Sequence, residues 1–544
     1  MSETAPWAES LAVLDGRITA VGSTEDVMRL RGDKTIVHDL RGHMVMPGIH
    51  DTHLHPYDAG IGSQVECVIS PEELGAALGL LEECLKDVSE GQWLRGGQWH
   101  ESFFSSELAA GRHPKEILDE IAPNNPVFLM DWTVHNAWLN SRALEVLNID
   151  AQTLDPAGGV IVRDSDTGEA TGLLLDNAAY GSQRRLPAYS IEERTRAMRW
   201  SLDTIAKYGV TTIKDALTTE SSMEVYEAFN SANTLPVRVK TSLSWKSSWA
   251  NSHEEELALI ARRGALEKNF VATDFAKIML DGVPISYTSA LLEPYAPSEA
   301  YGDNFRGKLM HDPEQLKEDV AWLDGQGITV KIHATGDRAV RVALNAIEAA
   351  RKANGDSGLI HEISHAETIH QDDMPRFNEL NVAAEMCPIL WYPIPGLDWV
   401  QWLGDDGREK VWPIKTMVYS GALVIYGSDW PVVLTPNPWP GIESMVTRSD
   451  PSQTEIKPDW PEEAVSLKTA LKIFTLNGAI ANKVGGSSGS LEAGKDADFI
   501  VLDRQLFDIP ITDVGETEVL MSVVGGNVIV DDFLSGKSSK NVRQ

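Results

Sequence analysis

The 544-residue chain has few cysteines and few positive charges for its size. Its three cysteines, Cys67, Cys84 and Cys387, form no CxxC pair, which argues against a cysteine zinc site and a disulfide framework. The formal net charge of −33 argues against binding to nucleic acid or to anionic membrane surfaces. We therefore expect an acidic protein of a reducing compartment, the cytoplasm.

Long apolar runs are also missing. No stretch of about 18 apolar residues occurs, so no membrane span is expected. The N-terminus has no basic region followed by an apolar run, so no secretory signal is expected. With 42% hydrophobic residues, the chain can form a large core, and it is too long for one ordinary domain of about 100–200 residues.

Strand-like runs are present near both ends of the chain. They cover residues 11–14, 17–22, 497–503 and 519–530. The first two flank Asp15-Gly16, a dipeptide typical of a tight hairpin turn. We predict that residues 1–46 and 481–537 together form one small β domain, and that residues 538–544 are a tail.

Between these ends, apolar strand-like runs alternate with helical patterns, which is typical of a parallel (β/α)8 (TIM) barrel. We predict this barrel over residues 47–480. Its eight strands are predicted to end near His55, Asp215, Thr241, Met279, His333, His365, Met386 and Asp429. The connection from the first strand to the second is far longer than a crossover needs, so residues about 60–190 are predicted to be an insertion over the barrel mouth.

A His-x-His pair, His53 and His55, ends the first predicted strand. Residues i and i+2 of a strand point to the same side, so two imidazoles would face one site. Taken alone, the pair is also typical of surface histidines in a turn. Later strand ends add Lys277, His333, His365 and Asp429. Active sites of parallel barrels lie at this end, and imidazole and carboxylate suit zinc, manganese, iron or cobalt.

Lys277 does not fit a metal site as an ammonium group. Its amine could instead react with carbon dioxide, and the resulting carbamate would be an anionic ligand that bridges two metals about 3.5–4 Å apart. The alternatives are a salt-bridged barrel lysine or a site with one metal. Lys214 and Lys331 also lie at strand ends, and Lys331 would share a face with His333.

The six strand-end residues, in this order along the chain, resemble the metal-site residues of the amidohydrolase superfamily. The sequence motifs around them resemble those of the branch of YtcJ-like proteins, which includes N-substituted formamide deformylase. The matching phrases are Met46-Pro47-Gly48, His53-Leu54-His55-Pro56, Ala276-Lys277, Leu280-Asp281-Gly282, Ile332-His333-Ala334-Thr335-Gly336-Asp337, Ser364-His365-Ala366-Glu367, Gly427-Ser428-Asp429-Trp430-Pro431 and the run 489–498. The resemblance implies a (β/α)8 barrel beside a β-sandwich built from both termini. It also implies hydrolysis at carbon centres that bear amide or related bonds. Relatives carry further β residues ahead of the segment matching 7–22, so either the small domain lacks a strand or the start is misassigned.

Within this resemblance, His53, His55, Lys277, His333, His365 and Asp429 are the expected ligands of two divalent metals, zinc first. Asp429 is also the expected general base, which takes a proton from water and hands it to the leaving amine. The alternatives are core histidines bonded to backbone and, for Asp429, a helix N-cap. Asp281-Gly282 is expected to be a turn that shapes the site.

Four residues are candidates for contact with a substrate. His135 lies in a segment, 131–140, that resembles a family segment near the active-site mouth. Trp99, Trp391 and Trp430 belong to a set of sixteen tryptophans, which is many for this length and suits an apolar or aromatic substrate group. Ordinary packing of long loops is the alternative.

We predict a metal-dependent amidohydrolase that cleaves an amide or an N-substituted formamide, acting on a small molecule and forming a homodimer. Cleavage of a carbamate, lactone, ester or cyclic amide at the same site is one alternative, because the metals act on a carbonyl whatever the leaving group. A non-catalytic relict barrel with a binding role is the other.

Overall fold

Twenty strands are found in the part of the chain that the computed structural model describes. That part comprises residues 6–69, 73–104, 111–131, 136–156, 159–247, 250, 252–268, 270–284, 287–297, 302–390, 402–404, 411–453, 458 and 460–533. The strands are β1 (Ser10–Leu14), β2 (Arg17–Gly22), β3 (Val45–Pro47), β4 (Ile49–Leu54), β5 (Cys67–Val68), β6 (Leu94–Trp99), β7 (Val127–Asp131), β8 (Asn136–Leu139), β9 (Gly159–Arg163), β10 (Ala170–Asp176), β11 (Val210–Thr218), β12 (Arg238–Ser244), β13 (Val271–Met279), β14 (Thr329–Ala334), β15 (His361–His365), β16 (Val382–Met386), β17 (Leu423–Tyr426), β18 (Phe499–Leu502), β19 (Val519–Val524) and β20 (Asn527–Asp531).

Helices connect most of these strands. The α-helices are Thr24–Met28, Pro56–Gln64, Leu74–Leu85, Pro114–Ile121, Ser141–Val146, Asn177–Gln183, Ile191–Lys207, Glu220–Ala232, His253–Leu266, Pro313–Gly325, Asp337–Asn354, Met374–Glu379, Ile414–Tyr419, Trp439–Thr447, Leu467–Lys472 and Gly478–Ala481. Short 3-10 helices cover Glu101–Phe104, Pro461–Glu463 and Ile511–Glu516, and Ile473–Asn477 form one π-helical turn. None of the helices in the described ranges is long and apolar enough to span a bilayer.

The barrel is a sheet of eight parallel strands in the order β17-β16-β15-β14-β13-β12-β11-β4. These are the eight strands that the sequence predicts, so the predicted (β/α)8 fold is confirmed. Hydrogen bonds link the first strand to the segment after the last: the Asp429 amide donates to the His53 carbonyl, and the His55 amide donates to the Trp430 carbonyl, both at 2.7 Å. The carboxyl ends of the first and last strands are therefore held together.

The crossover helices have the usual sequence features of capped, amphipathic helices. Helix Pro313–Gly325 starts at an N-cap, Asp312, whose side chain accepts from the amides of Glu314 and Gln315. In helix Asp337–Asn354 the apolar residues recur at helical spacing, and Val340, Leu344 and Ile347 are fully buried. Such helices cover the outer faces of barrel strands whose residues are buried on both sides.

Both termini contribute to a small β region beside the barrel. Strands β1 and β2 form a hairpin whose turn residues, Asp15 and Gly16, have φ of 51° and 77°, as a tight two-residue turn requires. A second sheet has the order β20-β19-β18-β3 and so joins three C-terminal strands to one N-terminal strand. The Ala497 amide donates to the Gly16 carbonyl at 2.8 Å, which links the hairpin to the C-terminal segment.

Gly48 joins this sheet to the barrel, because it lies between β3 and β4. A Cβ atom at Gly48 would be 2.1 Å from the Thr211 hydroxyl oxygen on β11. Only glycine allows the chain to pass so close to the neighbouring strand as it enters the barrel.

Residues 57–201 form a separate compact unit, whereas residues 1–56 and 202–544 form the other. Its sheet has the order β5-β6-β7-β8-β10-β9 and mixes parallel and antiparallel pairs. It has a core of its own, which includes Leu81, Leu129 and Trp138. The predicted insertion at about 60–190 and its place over the barrel mouth stay predictions.

One expectation about cysteine is wrong. Cys67 and Cys84 form a disulfide in this unit, because β5 and helix Leu74–Leu85 bring their Cα atoms within 6.0 Å. The two cysteines are 17 positions apart in the sequence, so no local motif indicates that they pair. Cys387 is free and buried.

Candidate metal centre

The barrel brings all six predicted ligands to its carboxyl end. His53 is the penultimate residue of β4 and His55 follows that strand, and Lys277 lies in β13. His333 is the penultimate residue of β14, His365 ends β15, and Asp429 follows β17. We call His53, His55, Lys277, His333, His365 and Asp429 the strand-end cluster. Five of them are almost fully buried, and the His55 side chain retains 18% of its exposure.

Four members of the cluster meet around one point. The Nε2 atoms of His53 and His55 each lie 3.4 Å from Oδ1 of Asp429. The Lys277 Nζ atom lies 3.2 Å from Nε2 of His53. These three donor groups on His53, His55 and Asp429 are close enough to hold one metal ion.

The other two histidines lie beside this group. The His365 ring is centred 4.6 Å from the His53 ring and 4.5 Å from the His333 ring. Nε2 of His333 donates to the Gly282 carbonyl at 3.0 Å, so its Nδ1 carries the lone pair. The Gly282 carbonyl thus fixes the tautomer of His333, while the predicted role of Asp281-Gly282 in shaping the site stays a prediction.

Backbone strain is concentrated in this cluster. His365 and Asp429 have φ of 68° and 60°, in the left-handed region that residues other than glycine seldom adopt. Buried Asp51 braces the Asp429 side, because its Oδ1 accepts from the amides of His53 at 3.1 Å and Ser428 at 3.0 Å. Strained positions of this kind persist where the surrounding structure enforces them.

Burial keeps His53, His333 and His365 neutral. It lowers the pKa of His333 to about 3 and the pKa values of His53 and His365 well below the ordinary range. A neutral imidazole has the lone pair that a metal ligand needs. Burial, together with the charge of Lys331, lowers the pKa of Lys277 to about 8.

A row of buried charges lies next to the cluster and was missed as a feature of the sequence. It contains Lys214, Glu362, Lys331 and Glu385, which we call the buried ion chain. Lys214 pairs with Glu362, and Lys331 pairs with both Glu362, at 3.0 Å, and Glu385. Glu385 Oε1 then lies 2.7 Å from Nδ1 of His53. Glu385 could have been recognised from the sequence, because it is a charged residue within the otherwise apolar strand Val382–Met386.

Two further carboxyl groups line this end of the barrel. Asp281 accepts from the amides of Ala290, Thr335 and Gly336 at 2.9–3.0 Å, and burial raises its pKa to about 7. Burial, with the charges of Asp281 and Asp429, raises the pKa of Glu367 to about 8. Its Oε2 atom is buried and has no hydrogen-bond partner among the described residues.

The residues predicted to contact a substrate lie in different environments. Trp99 is buried in the core of residues 57–201, where its indole N–H donates to the Leu129 carbonyl at 2.8 Å. These contacts account for Trp99 without a substrate, so its predicted binding role has no support from them. Trp430 is buried next to Asp429. His135 and Trp391 lie outside the described residues.

The residues present fit a divalent metal. The imidazoles of His53 and His55 and the carboxylate of Asp429 bring their ligand atoms close together, beside a buried lysine with a lowered pKa. This donor set suits zinc and neighbouring transition metals. The metal itself and a carbamate on Lys277 remain proposals.

Known proteins resemble the chain over nearly its whole length. "Protein LONG AFTER FAR-RED 3" of Arabidopsis thaliana is 30% identical, with 96% of this chain and 88% of that protein covered. "N-substituted formamide deformylase" of Arthrobacter pascens is 29% identical (95% and 94%). "Putative amidohydrolase YtcJ" of Bacillus subtilis is 28% identical (98% and 97%).

A solved structure, an uncharacterized metal-dependent hydrolase from Pyrococcus furiosus, has the same fold. It superposes with a TM-score of 0.70 at 23% identity, and the match covers 91% of this chain and 95% of that one. The Amidohydrolase family matches residues 37–530. The resemblance drawn from the strand-end phrases is therefore confirmed, and the chain belongs to the amidohydrolase family of hydrolases.

Proposed function

We propose that this protein is a metal-dependent hydrolase that cleaves the C–N bond of an amide or an N-substituted formamide. The observation that carries the proposal is the convergence of His53 and His55 on Asp429 beside Lys277, with both Nε2 atoms 3.4 Å from one carboxylate oxygen. The family and the relative named for formamide deformylation support the same class of reaction.

The strand-end cluster would hold two zinc ions, and manganese, iron or cobalt would also suit its ligands. A bound divalent cation supplies polarisation of a carbonyl group and a water of lowered pKa. Lys277 would join the site as a carbamate. Its lowered pKa supports this, because the neutral amine is the form that reacts with carbon dioxide.

Asp429 would carry the proton. It accepts a proton from the attacking water as the water oxygen bonds to the substrate carbon, and it returns that proton to the leaving nitrogen when the C–N bond breaks. Asp429 is buried, with φ of 60°, so its carboxylate is held in place by the backbone beside His53. Such fixed placement favours catalysis, because little reorganisation is needed during the reaction.

The substrate would be a small molecule with an apolar or aromatic group. His135, Trp99, Trp391 and Trp430 remain the proposed contacts, and a homodimer is the proposed assembly. A cytoplasmic location also stays a proposal. The Cys67–Cys84 disulfide argues against it, because disulfides are rare in reducing compartments.

A substrate panel with metal removal tests the proposal. Hydrolysis of N-substituted formamides, other amides, cyclic amides, carbamates, lactones and esters is measured with purified protein, before and after chelation. We expect the highest kcat/KM on the acyclic amides and formamides, loss on chelation and recovery with Zn²⁺. Preference for a lactone or ester would overturn the C–N assignment, and preference for a carbamate or cyclic amide would overturn the assignment to acyclic amides and formamides. Turnover that survives chelation would overturn the metal mechanism.

A matched pair of variants on β4 adds a control. His53→Gln removes a proposed ligand and should lower kcat by at least about 100-fold. His50→Gln changes a buried histidine on the same strand that contacts Ser488 and Asn482 instead. It should keep most of the activity. Equal losses in both variants would point to damage of the strand and not to a lost ligand.

A further inference from the structure

We propose that Glu385 is a positioning residue that fixes the tautomer and the orientation of His53, and that Lys331 holds Glu385 in this task. The proposal rests on the metal site proposed above. It assigns a role to strand β16, which contributes none of the six predicted ligands.

The contact with Glu385 allows only one tautomer of the His53 ring. Glu385 Oε1 lies 2.7 Å from Nδ1 of His53, and both side chains are buried. A carboxylate can only accept, so Nδ1 carries the hydrogen and Nε2 carries the lone pair. The Lys277 Nζ atom lies 3.2 Å from this Nε2 atom. The lone pair of His53 is therefore directed at the centre of the strand-end cluster.

Glu385 is placed to orient a ligand and not to act as one. Its Oε1 also lies 3.4 Å from the His365 amide and 3.5 Å from the Cys387 thiol, both of which donate to it. Its Oε2 accepts from Lys331. Protein donors thus contact both oxygens, which favours an orienting role for Glu385 over the metal ligation that its closeness to His53 and His365 also allows. A carboxylate behind a histidine in this way raises its basicity as a ligand and fixes its ring.

Lys331 explains why the carboxylate stays in place. It contacts Glu385 on one side and Glu362 on the other, and Glu362 also pairs with Lys214. A buried carboxylate without a cation would be strongly destabilising. The buried ion chain therefore keeps Glu385 charged and fixed, so that Nδ1 of His53 always faces an acceptor.

Glu385→Gln is the sharp test, because it removes the charge and keeps the shape. The Lys331 ammonium can only donate, so it will take the amide oxygen of the new side chain. The amide NH2 group then faces Nδ1 of His53 and favours the tautomer with hydrogen on Nε2. That tautomer has no lone pair directed at the cluster. We expect Zn²⁺ affinity, measured by competition with a chelator, to fall about 10–100-fold.

Glu362→Gln is the matched control. It also removes a buried carboxylate from Lys331, but Glu362 has no hydrogen bond to His53 among the described contacts. We expect its Zn²⁺ affinity to stay within about threefold of the unchanged protein. An equal loss in both variants, or unchanged affinity in Glu385→Gln, would overturn the proposal. If the unchanged protein fails to bind Zn²⁺, the proposed function fails first, and the two failures are thereby distinguished.

A spectroscopic measurement keeps the test independent of folding defects in the variants. The ¹⁵N shifts of His53 in the unchanged, metal-free protein, assigned by comparison with His53→Gln, report which ring nitrogen carries the hydrogen. Hydrogen on Nδ1 supports the proposal, and in Glu385→Gln it should move to Nε2. Hydrogen on Nε2 in the unchanged protein would contradict it, whatever the affinities.

Discussion

Two groups of buried polar residues lie side by side in this barrel, and they differ in how they are paired. In the buried ion chain each charge contacts an opposite charge, as Lys331 contacts Glu362 and Glu385. In the strand-end cluster Lys277 lies beside the imidazole of His53 instead. The two lysines are neighbours in register on β13 and β14.

Their pKa values move in opposite directions although both side chains are buried. Burial alone would lower the pKa of Lys331, but Glu385 and Glu362 raise it above its ordinary value. Burial lowers the pKa of Lys277 to about 8, and Lys331 adds to the effect. Lys214, which pairs with Glu362 alone, also has its pKa lowered to about 8. The two carboxylates around Lys331 therefore offset its burial, whereas the single pairing of Lys214 and the imidazole contact of Lys277 do not.

The largest expected effect comes from breaking the ion chain. Lys331→Met should lower the free energy of unfolding of the metal-free protein by about 3–5 kcal/mol, because it leaves buried Glu385 without its cation and leaves Glu362 with Lys214 alone. Lys277→Met, its neighbour in register, should cost less than half as much, since it removes a buried amine with a lowered pKa. Urea unfolding of both variants measures this, and equal losses would contradict the distinction between the two groups.

Glu367 should make the metal-free protein less stable as the pH rises. Its pKa is raised from 4.5 to about 8, so the folded protein binds more protons in this window, and stability falls as the pH rises through it. Between pH 4.5 and 8, the free energy of unfolding of Glu367→Gln should fall by about 2–4 kcal/mol less than that of the unchanged protein. Unfolding curves across this range provide the measurement. A variant with the same pH dependence as the unchanged protein would show that Glu367 does not carry the effect.

Gly427 lies against both the strand-end cluster and the buried ion chain. A Cβ atom there would lie 2.5 Å from Cβ of His53 and 2.9 Å from Oε1 of Glu385. Gly427→Ala should therefore cost about 1–3 kcal/mol of stability and weaken Zn²⁺ binding, because His53 must shift. Gly486→Ala, where a Cβ would have nothing within 4 Å, is the control and should change stability by less than about 0.5 kcal/mol. Similar effects at both positions would argue against this explanation.

Cys387 gives the smallest expected effect. Its thiol lies 3.6 Å from Nδ1 of His365 and donates only weakly to Glu385. Cys387→Ala should cost about 1 kcal/mol of stability and change Zn²⁺ affinity less than about threefold. A tenfold weaker affinity would instead place this thiol among the metal-binding groups.

The strand-end cluster was predictable because its members carry a local signal. His53-x-His55 ends an apolar run, and each later ligand follows a strand of recognisable pattern. The ion chain was not, since the pairing of Glu385 with Lys331 depends on how β14, β15 and β16 align across the barrel. The Cys67–Cys84 disulfide was missed for the same reason, because the packing of a helix on β5 brings the two residues together.

Metal stoichiometry tests the central claim most directly. The protein is exposed to Zn²⁺, freed of unbound metal and measured by elemental analysis, next to Asp429→Asn and the control His50→Gln. We predict two ions per chain for the unchanged protein and for His50→Gln, and fewer for Asp429→Asn. An unchanged protein that retains no zinc, manganese, iron or cobalt would contradict the account.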